Sequence, residues 1–92
     1  MILHPLLAEM WREEHNEDIN QASPEKLHEK ISQLNKRMIF ARSMGNFQVV
    51  QQMQGMVDDL YSLASDRMRA DAEKNELERQ RRADKARKEA EN

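Results

Sequence analysis

One Gly-Asn step, Gly45-Asn46, divides the middle of this 92-residue chain into two apolar stripes of matched length and spacing. Before it, Leu27, Ile31, Leu34, Met38 and Ala41 recur at alternating four- and three-residue intervals, which places all five on one face of an α-helix. Ile39 and Phe40 widen that face near its end, while Glu29, Lys30, Gln33, Lys36 and Arg37 fill the other side. After it, Val49, Val50, Met53, Met56, Val57, Leu60, Leu63 and Ala64 form the second stripe. Ser23-Pro24-Glu25 is a helix start: a Ser cap accepts a free amide, Pro at the first position has none to waste, and Glu25 meets the positive end of the dipole. Gly45 can adopt the left-handed conformation that closes a helix, and Asn46 can cap the next one. So short a linker forces its helices to run antiparallel and adjacent. The spacing predicts an all-α chain built on an αα-hairpin with arms at about 24–44 and 46–65, each ~30 Å long.

Upstream, His4-Pro5 marks another helix start, followed by an apolar set of Ile2, Leu3, Leu6, Leu7, Met10 and Trp11. The pattern fades into Glu13, Glu14, Glu17 and Asp18, so a short helix from about 5 to 18 is expected to lie across the hairpin with Trp11 as its anchor. Residues 20–22 are read as the connection. Downstream, the stripe dies: the face led by Met53, Leu60 and Ala64 is continued by Arg67, Asp71, Lys74 and Glu78. Nothing breaks the helix, because residues 66–92 hold no Gly or Pro and are rich in Ala, Glu, Lys and Arg. Opposite charges stand four residues apart at Arg67–Asp71, Arg69–Glu73, Lys74–Glu78, Glu78–Arg82, Asp84–Lys88, Lys85–Glu89 and Arg87–Glu91. At ~0.2–0.5 kcal/mol each, such pairs sustain a solvated helix. The expected organisation is a helical domain over 1–65 and a charged helical arm, or partly disordered tail, over 66–92.

Charge supports that division. Residues 1–23 set one Arg against five acids, residues 43–57 carry no charge, and the last 27 residues carry 17 charged side chains. The absence of Cys excludes a disulfide scaffold and Cys-ligated zinc or iron–sulfur sites. A mean hydropathy of -1.01 with no long apolar run excludes a membrane-spanning helix. The first residues are apolar but lack a basic stretch before them, so no secretory signal is read and a cytoplasmic setting is expected.

Catalytic and metal chemistry find no foothold. His4, His15 and His28 lie on separate segments. His28-Glu29 opens like a zinc-protease helix motif, but position 32 is Ser where a second His is needed. No nucleophile–base arrangement can be built, and a chain this short hardly encloses a substrate pocket of the usual ~300–1,000 Å³. No enzyme, cofactor, metal or small-molecule substrate is expected.

Surfaces for partners are easier to find. Leu3, Leu7 and Trp11 form an apolar anchor with an acidic trailer, suited to a protein groove in this chain or a neighbour rather than to a membrane surface, where Lys and Arg are usual. Gly55, beside Gln48, Gln51 and Gln52 with Phe47 and Tyr61 flanking, would allow close approach of another helix, with the glutamines bonding across it. Met44 and Met68 sit where the core should thin, so an exposed methionine-bearing patch near Gly45 is a third candidate. Finally, Arg79, Arg81, Arg82, Lys85, Arg87 and Lys88, with Asp84 the one acid among them, are candidate phosphate contacts. No aromatic residue interleaves them to stack on bases.

The residues Leu34-Asn35-Lys36-Arg37-Met38, Ala41-Arg42, Gly45-Asn46 and Gln51-Gln52 resemble small helical-hairpin accessory or assembly proteins of large tailed bacteriophages, over a stretch spanning about a fifth of the chain. The resemblance implies an assembly protein made in host cytoplasm and staying there or entering the virion. No functional residue is carried over by it. The stripes also exceed what two helices can bury between them. The sequence thus predicts a non-enzymatic helical interaction protein that self-associates or docks onto a protein partner. The alternative is a nucleic-acid-associated regulator using 79–88.

Overall fold

The computed structural model describes residues 3–91. Ile2, counted in the first apolar set, lies outside them. Three α-helices follow in order, α1 (Pro5–His15), α2 (Pro24–Ser43) and α3 (Phe47–Glu91), with a short 3-10 turn at Ile19–Gln21. No strand occurs among the described residues.

The hairpin forms where the spacing places it, and its ends close as their chemistry requires. Ser23 Oγ accepts the Lys26 amide at 3.3 Å, with Pro24 behind it at the first helical position. At the other end Gly45 has φ 75°. The Asn46 amide reaches the Ala41 carbonyl at 2.9 Å and the Gly45 amide reaches Arg42 at 3.1 Å, the Schellman arrangement. Asn46 Oδ1 then accepts the Val49 amide at 3.4 Å, so two adjacent residues end one helix and start the next. The stripes meet: Leu27, Ile31, Leu34 and Met38 pack with Met56, Val57, Leu60, Leu63 and Ala64 in one core. Each large aliphatic side chain removed from water there contributes ~1.5–3 kcal/mol.

α1 closes the open half of this hairpin. Leu7 and Trp11 are fully buried in the shared core, and Leu3, Ala8 and Met10 pack against it. His4 Nδ1 accepts the Leu6 amide at 3.2 Å, while the His4 amide donates to Asp59 Oδ2 on α3 at 2.7 Å. Lys30 Nζ donates to both carboxylate oxygens of Glu14, at 2.7 and 2.9 Å. Lys30 is therefore not on a solvated face as expected; it is 3% exposed, roofed by α1.

Three further expectations need correction. α1 stops at His15 rather than near residue 18, because Asn16 turns left-handed (φ 51°). Asp18 then takes the Asn20 amide at 2.9 Å, offering the backbone an alternative to the helix. The connection is also not merely a linker, since Ile19 and Ala22 are buried core residues. Ile39 and Phe40 do not widen the buried face, for both are largely exposed. On α2 they project at roughly 100° per residue to either side of the Leu34–Met38 line, where α3 does not reach.

α3 runs helical past the body through Glu91, and every residue from Met68 to Glu91 is exposed. At 1.5 Å per residue its 45 residues are about 67 Å long, which accounts for overall dimensions of 71 × 24 × 20 Å. Arg67, projected onto the core stripe, makes the last contact with the body by donating to the Asn20 carbonyl. The ion pairs drawn on the arm are spaced three apart, not four: Glu76–Arg79 at 2.6 Å and Asp84–Arg87 at 3.4 Å. Both spacings bring side chains together on a helix.

Candidate interaction surface

Helix lengths decide which part of the hairpin stays open. α1 has 11 residues, about 16 Å, against 20 residues and about 30 Å for α2. Anchored at its two ends by Asp59 and Lys30, α1 covers only the half remote from the turn. Burial thins accordingly: Met56 and Leu60 are buried, whereas Val49, Val50 and Met53 are half-buried.

The turn half leaves three large apolar side chains in water. Phe40 is 66% exposed, Met44 70% and Phe47 66%. A hollow of about 580 Å³ lies between the helices, lined by Phe40 and Ala41 of α2, Met44 and Asn46 at the turn, and Val49 and Met53 of α3. Lys36 and Arg37 complete its lining. Both charged residues of its lining are basic. Between Glu29 and Asp58 there is no acid, while Lys30, Lys36, Arg37 and Arg42 stand in that interval. Lys30 is taken up by Glu14; Lys36, Arg37 and Arg42 are in none of the ion pairs among the described residues. The methionine patch expected near Gly45 thus has Met44 exposed at its centre. Phe40, expected in the buried face, and the basic pair Lys36 and Arg37 were the part not anticipated, and for the bases the missing acids were the available signal.

The other predicted residues fall into separate places. Leu7 and Trp11 leave no surface for a partner, because they are 0% exposed inside this chain's own core, and Leu3 packs against the same cluster. Trp11 also packs against His15, with ring centroids 4.2 Å apart and planes tilted by 40°, and its Nε1 has no hydrogen-bond partner among the described residues. Gly55 is half-buried with nothing within 4 Å of where a Cβ would stand, so no neighbour among the described residues requires a glycine there. Gln48, Gln52 and Gly55 project within about 60° of one another, on the flank shared with Asp59. Phe47 and Tyr61 share the opposite flank and Gln51 points away from the core, so these residues do not form the single surface expected of them.

The basic stretch is exposed along the arm. Arg79 and Arg87 are tied to Glu76 and Asp84. Arg81, Lys85 and Lys88 share one face with Asp84 and Glu89 beside them, whereas Arg79, Arg82 and Arg87 point elsewhere. Six bases thus do not line up as a phosphate-tracking stripe.

Among the described residues no three His, Asp or Glu side chains converge on a metal-sized site, and no helix is long and apolar enough to cross a membrane. His4 caps α1 and His15 packs on Trp11; neither stands near His28 in sequence or element. No family model, curated protein or solved structure matches the chain.

Proposed function

We propose that this chain is a non-enzymatic helical interaction protein, which self-associates or docks onto a protein partner through the turn half of its hairpin, with the arm as a spacer or second contact. The observation that carries the reading is the exposed pair Phe40 and Met44 in the lining of a hollow that α1 is too short to cover. Apolar side chains grouped this way in water are a standing cost unless a partner covers them. Helix faces left open in small bundles are commonly met by another helix.

Light scattering over a wide concentration range, on the wild type and on Phe40→Asp/Met44→Asp, tests it alongside titration with labelled duplex DNA and single-stranded RNA at two salt concentrations. The reading predicts a partner- or self-contact that the double substitution abolishes at unchanged helicity. It fails if that substitution alters no association while salt-sensitive nucleic-acid binding is lost on replacing the bases of 79–88.

A further inference from the structure

The two halves of the hairpin present the same side chemistry, and only one is covered. Helical projection puts Lys30, Arg37, Ala41 and Met44 on one side of α2. Over the half remote from the turn that side is occupied by α1, whose apolar residues Leu7 and Trp11 are buried while Glu14 is clamped by Lys30. α1 is itself an acidic amphipathic helix, with Glu9, Glu13 and Glu14 against Arg12. One heptad beyond Lys30 stands Arg37, with Lys36 beside it, next to the uncovered hollow between Met44 and Met53.

We infer that the turn half of the hairpin docks an acidic amphipathic helix of a partner protein, its apolar side chains in the hollow and its carboxylates on Lys36 and Arg37. This deepens the interaction reading above and rests on it. The face already holds one helix of that chemistry, so the geometry for a second is present in the same groove. The acid-free interval from 30 to 57 supplies the complementary charge. A second copy seated hollow to hollow would bring Lys36 and Arg37 against their symmetry equivalents, a like-charge contact. The chain's own α1 cannot reach, being held at His4 and Glu14. A hollow between two helices accepts projecting side chains, which a helix supplies at three- and four-residue intervals and a fluid lipid surface does not.

The test uses the full chain and a fluorescein-labelled peptide with the sequence of residues 3–18, together with a twin in which its Glu and Asp residues are replaced by Gln and Asn. The peptide is expected to bind, the twin to bind roughly tenfold or more weakly, and binding to weaken as salt shortens the screening length. Lys36→Glu/Arg37→Glu and Phe40→Asp/Met44→Asp in the chain are each expected to weaken binding by about tenfold or more at unchanged far-UV helicity. All four positions are exposed, so these variants keep their fold. No binding, equal binding of the twin, or binding indifferent to both variants (the peptide then merely displacing α1) overturns the proposal. If the peptide fails but Phe40→Asp dissolves a self-associated form, this inference falls and the interaction reading stands. If mixed phosphatidylserine–phosphatidylcholine vesicles bind the turn half and the peptide does not, both fall.

Discussion

Alanine at Gly45 and alanine at Gly55 have opposite expected signs, because only Gly45 sits at positive φ. There a Cβ meets the following carbonyl, so Gly45→Ala is expected to cost about 1–2 kcal/mol. At Gly55 the backbone is helical and the space is open, so Gly55→Ala is expected to gain about 0.4–1 kcal/mol. Urea unfolding midpoints at constant slope measure both. The Lys30–Glu14 pair gives a second residue-scale prediction. Lys30 is buried while Glu14 keeps 38% of its side chain exposed, so solvent already weakens the pairing. Glu14→Gln is expected to cost about 1–2 kcal/mol, largely by leaving the ammonium underpaired. Adding Lys30→Met should return most of that loss, since an apolar chain of similar length has no charge to satisfy. If the double variant is less stable than Glu14→Gln alone, the account of Lys30 is wrong.

At the scale of elements, the arm is a helix with no hydrogen bond or ion pair to the body beyond Arg67 among the described residues, all exposed from Met68 to Glu91. A chain ending at Arg67 is therefore expected to keep its unfolding free energy within about 0.5 kcal/mol while losing far-UV ellipticity in proportion to the residues removed. Ending the chain at Asp66 removes the Arg67–Asn20 bond as well and is expected to cost about 0.5–1.5 kcal/mol more. Ser23-Pro24, Gly45-Asn46 and the 4-3-4-3 stripe made α2 and its turn legible in advance, because each is a local signal with one structural solution. Asp18, Ile19 and Ala22 were not legible: a three-residue turn has no period, and Ile19 is buried by packing that local sequence does not encode. Lys30 was misplaced for a related reason. Its exposure depends on where α1 crosses, which the α2 pattern cannot indicate.

The whole molecule is a small three-helix body with a rod attached. Its radius of gyration is 19.3 Å, against about 12 Å for a compact domain of this length. Monomer scattering near the larger value is expected, and collapse toward the smaller one would mean that the arm folds back. The candidate surface is also a property at this scale. Phe40 and Met44 belong to the α2 pattern, yet their exposure follows from α1 being half as long as the hairpin, a comparison between elements. The sequence placed methionines near the turn but not the basic rim, and it spread its other candidates over residues that prove to be core or to lie on opposite flanks. The claim that the turn half is where this chain docks an acidic helix is tested most directly by amide hydrogen exchange of the full chain with and without saturating 3–18 peptide. The account predicts slowed exchange across residues 36–53 and unchanged, fast exchange from Met68 onward; protection along the arm with none at the turn would contradict it.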